Sequence, residues 1–71
     1  MYIYHRIRDL REDADMTQED IAPILNTSRE QYSRWERGAQ EIPFHHAITL
    51  AKFYRVSLDY IAGLTNKIGG K

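Results

Sequence analysis

The chain has no cysteine, which excludes disulfides and thiolate metal sites and fits a reducing compartment. Glycine and proline are few, four and two among 71 residues, so each reads as punctuation. No apolar run approaches the ~20 residues of a membrane span, and no leader-like segment opens the chain. A cytoplasmic protein without membrane attachment is expected. Repeats and low-complexity tracts are absent. Neither sign of charge prevails, with ten basic residues against ten acidic ones. There is no Gly-rich phosphate loop, no cysteine nucleophile and no convincing pair of catalytic carboxylates, which argues against an enzyme. Of the three histidines, His45 and His46 are adjacent, and on a helix they would diverge by ~100°. They lack the i, i+4 spacing of helical metal ligands. No metal, cofactor or small-molecule ligand is expected.

What is present is helix grammar. Seventy-one residues suit one domain with one core, near the size where helix packing alone must suffice. The stretch 17–38, TQEDIAPILNTSREQYSRWERG, reads as two short helices and a tight turn. Thr17 can cap the first helix, with Asp20 returning the bond in a capping box. Met16 and Ile21 occupy the positions of a hydrophobic staple. Glu19 and Asp20 suit the positive end of the helix dipole. The helix is predicted to run to Leu25, with a kink or tightened turn near Glu19 to Pro23, because Pro23 removes an N–H. Asn26 suits the left-handed conformation that ends a helix. Ser28 caps the next helix, with Gln31 three residues on, and Gly38 ends it.

Three further helices are expected. Ile3, Ile7, Leu10 and Ala14 form an amphipathic stripe on a helix from about Tyr4 to Asp13. A fourth helix starts after Pro43, with Ala47, Ile48, Ala51 and Tyr54 or Phe53 inward. Ser57 caps a short fifth helix that ends at Gly63. The expected core is Ile7, Leu10, Ile21, Ala22, Leu25, Tyr32, Trp35, Ile48, Ala51, Val56, Leu58 and Ile61. Residues 1–65 are expected to form the domain and residues 66–71 a flexible tail.

The second helix of the 17–38 stretch has two unlike faces. With Arg29 as the origin, Ser33 lies at ~40°, Arg37 at ~80°, Glu30 at ~100° and Arg34 at ~140° around the axis. Tyr32 lies at ~300° and Trp35 at ~240°, with Glu36 on the border between the faces. Such a pattern suits a solvated surface helix, or one that is anchored by its rings and reaches into a DNA major groove. The capped helix-turn-helix around it favours the second reading. Arg29, Glu30, Ser33 and Arg34 are then base-reading candidates. Arginine can donate twice to guanine O6 and N7, and glutamate can accept from cytosine N4. Gln18, Thr27, Ser28, Arg37 and Gln40 are phosphate-contacting candidates. For Thr27 and Ser28 a pure turn-and-cap role stays open.

The segment resembles the Cro/cI-type helix-turn-helix of the XRE family of bacterial and phage regulators. The likeness rests on Thr17-Gln18, Ile21-Ala22, Leu25, Ser28 and Ser33-x-Trp35-Glu36-x-Gly38. It continues through Ile42-Pro43, Leu50-Ala51-Lys52 and Val56-Ser57-Leu58-Asp59-Tyr60-Ile61-x-Gly63, covering about residues 4 to 64. The resemblance implies an all-α fold, a compact five-helix bundle of the lambda-repressor-like type, with helices 2 and 3 forming the motif. It implies sequence-specific binding to double-stranded DNA by a transcriptional regulator. It also implies base contacts from the first two positions after the cap and from the position of Arg34. A structural salt bridge between Arg11 and Glu36 is implied as well. Two departures stand out: Pro23 within the first motif helix, and Glu41 with no basic residue between Ala39 and Pro43.

Charge is unevenly spread. Residues 9–20 hold six acids against Arg11, whereas residues 26–38 hold three arginines against two glutamates. An acidic back and a basic face imply weak indiscriminate phosphate binding and reliance on a defined site. So short a reader is expected to work as a homodimer on a two-fold operator. Tyr60, Ile61, Leu64 and Ile68, or the Met1-Tyr2-Ile3-Tyr4 arm, are candidate dimer contacts or core. A protein-interaction module of the same fold, such as an antitoxin or anti-repressor component, is the alternative.

Overall fold

A computed structural model describes residues 4–66. Helix α1 is His5–Asp13. Helix α2 is Gln18–Ile21 and continues as a 3-10 turn over Ala22–Leu25. Helices α3, Arg29–Arg37, α4, Phe44–Tyr54, and α5, Leu58–Ala62, follow. No strand occurs among the described residues. The chain is all-α, as the sequence implies. Helix α1 packs on α3 and α5, α2 on α3, and α4 on α5 and the 3-10 turn.

Local chemistry sets the boundaries. The Asp20 N–H donates to Thr17 Oγ1 at 3.1 Å, and the Thr17 N–H donates to Asp20 Oδ2 at 2.9 Å. Met16 is half-buried against the core beneath this capping box. Pro23 has no N–H for the next i→i−4 bond, so the α-helix yields to the tighter turn. Asn26 then reverses the chain in the left-handed region, at φ 55° and ψ 45°. Its N–H donates to Pro23 O at 3.0 Å, and the Thr27 N–H donates to Ala22 O at the same distance. Ser28 Oγ accepts from the Gln31 N–H at 3.1 Å, which opens α3 only three residues later. The capping box is one-sided here, because the Gln31 side chain turns to Gln40. Gly38 ends α3 at φ 77°, where a Cβ would clash. Ser57 caps α5 in the same way as Ser28 caps α3.

The core contains Ile7, Leu10, Ile21, Ala22, Leu25, Tyr32, Trp35, Ala51, Val56 and Ile61, as expected. It also contains Ala47, expected on the inner face of α4, and Ile42 and Leu50, which the sequence reading left out. Ile48 and Leu58 are only half-buried and Phe53 is exposed. The inner stripe of α4 is therefore Ala47, Leu50, Ala51 and Tyr54, at i, i+3, i+4 and i+7. It matches the expected stripe at Ala47, Ala51 and Tyr54 and differs in holding Leu50 in place of Ile48. Helix α1 begins at His5 rather than Tyr4, and Ala14 is exposed because Asp15 turns left-handed at φ 57°. Ile3 of the α1 stripe lies outside the described residues, as do Met1, Tyr2 and Ile68.

Arg6 fastens α1 to the far end of the chain. Its Nη1 donates to Tyr60 O at 3.0 Å and to Thr65 O at 2.8 Å, and its Nη2 donates to Asn66 Oδ1 at 2.9 Å. Its guanidinium also sits 4.1 Å from the Tyr60 ring centroid. The expected tail thus starts from a tethered Asn66, and residues 67–71 lie outside those described.

Leu50 is fully buried where α4 meets the rest of the core. Leu50→Ala is expected to cost about 2–5 kcal/mol, from lost burial and the cavity left behind. Chemical denaturation followed by circular dichroism measures this; a loss below about 1 kcal/mol contradicts the central placement.

Candidate nucleic-acid interface

Helix α3 is held from within. Tyr32 is 0 % and Trp35 5 % exposed. Their rings meet edge to face, with centroids 6.4 Å apart and planes at 83°. On the far side of Trp35 lies the His46 ring of α4, at 5.0 Å between centroids. These rings fix the rotation of α3 about its axis. Arg29, Glu30, Arg34 and Arg37 are consequently exposed, with Ser33 half-buried among them.

The exposed side chains make only light contacts with one another. Arg29 Nη2 lies 3.9 Å from Glu30 Oε2, and Arg37 Nε donates to Ser33 Oγ at 3.4 Å. Surface pairs of this kind contribute about 0–1 kcal/mol. Arg34 differs. Its Nη1 donates to Gln31 Oε1 at 3.1 Å, and Gln31 Nε2 donates to Gln40 Oε1 at 2.6 Å.

The border residue, Glu36, faces inward. Arg11 Nε donates to Glu36 Oε2 at 2.6 Å, and Arg11 Nη2 donates to Glu36 Oε1 at 3.1 Å. The Arg11 side chain is 12 % exposed and that of Glu36 4 %. Arg11 Nη1 also donates to Met16 O at 2.8 Å, and Gln18 Nε2 donates to Glu36 Oε1 at 3.0 Å. The Glu36 carboxylate therefore joins α1, α2 and α3, and Arg11 adds the α1–α2 connection. Burial alone pushes the Glu36 carboxyl up, but the hydrogen bonds it accepts outweigh that and hold it below the ordinary range. The hydrogen bond to Glu36 outweighs burial at Arg11, whose pKa is raised. The Tyr32 hydroxyl lies beside the same carboxylate, without a hydrogen bond of good geometry. Burial, then this neighbour, raises the Tyr32 pKa, and burial pushes Tyr54 up to about 12. Both phenols stay neutral near the ion pair.

The remaining phosphate candidates are scattered. Thr27 is half-buried; Ser28, Arg37 and Gln40 are exposed. The hydroxyl of Ser28 is occupied as a cap and the amide of Gln18 faces Glu36. A cleft of about 270 Å³ is lined by Arg8, Arg11, Gln18, Ser33, Glu36 and Arg37. Arg8 was missed by the sequence reading. Its three-residue spacing from Arg11 on α1 was the available signal, since such residues share a face. Of the dimer candidates, Ile61 is core at 2 % exposure, Tyr60 is half-buried and Leu64 is 77 % exposed. His45 and His46 stack at 4.0 Å between centroids, and His46 extends that stack to Trp35.

Comparison with known proteins adds independent findings. A helix-turn-helix family model matches residues 7–61. The chain is 34 % identical over 61 residues to the uncharacterized HTH-type transcriptional regulator YobD of Bacillus subtilis (strain 168). That match covers 86 % of this chain and 54 % of the relative. It is 36 % identical over 53 residues to the cryptic phage CTXphi transcriptional repressor RstR of Vibrio cholerae, covering 75 % of this chain and 48 % of that protein. The chain thus spans about half the length of these curated relatives. No solved structure gives a significant match.

Two outcomes are expected. Glu36→Ala leaves the Arg11 guanidinium without its buried partner, so stability falls by about 3–5 kcal/mol. Thermal melting measures it, and an unchanged Tm contradicts the locking role. The second concerns pH. Burial, and then His45, lowers the pKa of His46. The unfolded chain therefore binds the proton more readily, and stability rises with pH through this region. His46 contributes its full stability above about pH 6.5, the ordinary histidine value, and loses it as pH falls below. The depressed Glu36 carboxyl acts lower still, its contribution failing only as pH drops through and below the ordinary carboxylate range. Melting between about pH 8 and pH 5 should show a decline that His46→Gln flattens. Parallel curves for the two proteins contradict it.

Proposed function

Because the chain belongs to the Cro/cI-type helix-turn-helix family, with the lambda-repressor-like all-α fold, we propose that it binds double-stranded DNA at a defined sequence and regulates transcription. The inward burial of Tyr32 and Trp35 carries this reading, because it turns Arg29, Glu30, Ser33 and Arg34 outward together. In this reading α3 enters the major groove and these four side chains meet base edges. Arg37, Gln40, Thr27 and Ser28 meet phosphates, and Arg8 joins them across the cleft from Arg37. Gln18 contributes the amide hydrogen not used by Glu36. Residues 1–65 act as the binding unit, with 66–71 as a tail. The protein acts in the cytoplasm, repressor-like, as a homodimer on half-sites about one helical turn apart.

A second reading takes the fold as a protein-binding module, such as an antitoxin or anti-repressor component. It draws on Phe44 and Leu64, which are 69 % and 77 % exposed. Both line a groove of about 370 Å³ with Tyr4, Ile42 and Leu58. The two readings separate on salt-sensitive retardation of the protein's own promoter DNA, which the second does not give.

Selection from a random duplex pool tests the first reading. Arg34→Ala should lose about 1–3 kcal/mol of discrimination at one or two base pairs, with the fold intact. Arg37→Ala should weaken binding alike on all sequences and reduce the salt slope by about 1. Unchanged specificity in the first variant, or a base-confined change in the second, counts against the roles assigned.

A further inference from the structure

The geometry points to Gln31 as a positioning residue that sets how Arg34 addresses its base. This inference rests on the reading of Arg34 as a base contact. With Arg29 again as the origin, Gln31 lies at ~200° on the α3 wheel, outside the reading face and next to Arg34 at ~140°. It is half-buried, whereas Arg34 and Gln40 are exposed. Its two amide ends do different work. Oε1 accepts from Arg34 Nη1 at 3.1 Å, and Nε2 donates to Gln40 Oε1 at 2.6 Å. A guanidinium only donates. Gln31 can hold Arg34 only with its oxygen turned toward it, which leaves its Nε2 to donate to Gln40 Oε1. Reversing the amide would set two donors face to face on the Arg34 side and two acceptors face to face on the Gln40 side.

The consequence is a pre-aligned fork. A free arginine must freeze several rotatable bonds before it can donate twice to one base. Here one Nη is already tied to the helix flank that borders the Gly38–Pro43 connection. Arg34 is exposed and has further N–H groups that this bond does not use, so they are left to donate to a base. Gln31 is thus a specificity residue that itself need not touch DNA. Gln40 extends the same device: its Oε1 accepts from Gln31, and its Nε2 is the end that can donate to a phosphate. Docking on the backbone and aiming at a base are then linked through three side chains.

The test begins without DNA. In 15N-labelled protein, Arg34→Ala and Gln40→Ala should each shift the side-chain amide signals of Gln31, while Tm stays at the parent value. Signals that neither variant moves overturn the proposal, whatever the other variants do. Affinities for the selected duplex and its single-base changes are then measured for the parent, Gln31→Met, Gln31→Glu and Arg34→Ala. Gln31→Met should reduce discrimination at the Arg34 base pair by about two- to tenfold, the range for one side chain that must be immobilised anew. Its affinity for random duplex should be unchanged. Gln31→Glu retains an acceptor toward Arg34 and should keep the preferred base. Adding Gln31→Met to Arg34→Ala should cost no further discrimination. If Gln31→Met discriminates fully while Arg34→Ala does not, the positioning role is overturned and the Arg34 reading stands. If both discriminate fully, the Arg34 reading fails and the proposal falls with it. A uniform loss on every duplex with Gln31→Met also overturns it.

Discussion

The bidentate contact between Arg11 and Glu36 is the constraint on which the molecule depends. Two charges removed from water gain little net free energy, because desolvation offsets their attraction. What such a pair supplies is register. The Glu36 carboxylate accepts from both Arg11 and Gln18, while Arg11 also donates to Met16 O. α3 can slide or roll only by breaking the three contacts to Glu36 at once, while the bond to Met16 O holds Arg11 in place for them. The contrast with Arg8 and Glu12 is instructive. That pair has side chains 63 % and 52 % exposed, and an exposed i, i+4 contact contributes a few tenths of a kcal/mol at most. Burial, rather than pairing as such, makes the first contact decisive.

The ion pair secures one flank of α3 and the aromatic stack secures the other. Trp35 meets Tyr32 on α3 itself and His46 on α4. The whole helix has only nine residues. A helix that short is marginal alone, so its stability is borrowed from tertiary contact. Its outer face is thereby freed from any packing role. Arginine, glutamate and serine can stand there because none is needed to hold the fold. This division of labour matches the wheel, in which the two rings lie roughly opposite the polar cluster.

Legibility in the sequence followed the reach of each interaction. The capping box at Thr17 and Asp20, the break at Pro23, the left-handed Asn26 and the caps at Ser28 and Ser57 all close within a few residues. Their chemistry is written side by side in the chain. On α4, Ile48 was expected inward in place of Leu50, and Phe53 or Tyr54 was left open, because Phe44, Ala47, Ile48, Leu50, Ala51, Phe53 and Tyr54 surround the helix with apolar groups. Periodicity cannot choose a face when nearly every direction is apolar. The left-handed turns at Asp15 and Arg55 carry no glycine to announce them. Contacts between distant residues were the least visible. Gln18 to Glu36, Gln31 to Gln40 and Arg6 to Thr65 depend on which elements meet in space. Only the family resemblance anticipated a long-range contact, the one between Arg11 and Glu36.

The overall charge is zero because ten acids balance ten basic residues, and half of those acids are gathered in one place. Glu12, Asp13, Asp15, Glu19 and Asp20 are all exposed around the end of α1 and the start of α2. Two of them sit in the first turn of α2, where the dipole favours negative charge. Those two acids weaken the pull of that turn on a phosphate, and the Gln18 amide there keeps only the hydrogen that Glu36 does not take. Under the proposed function, attraction to the backbone must come from Arg8 and Arg37 across the cleft they line. Among the described residues assigned to the backbone, Arg8 and Arg37 are the two cations, and each phosphate neutralised adds only about one unit to the salt slope. Affinity for arbitrary DNA is then low, and a larger share of the binding free energy falls to the bases. A surface poor in net charge thereby makes the orientation of each outward side chain on α3 count for more.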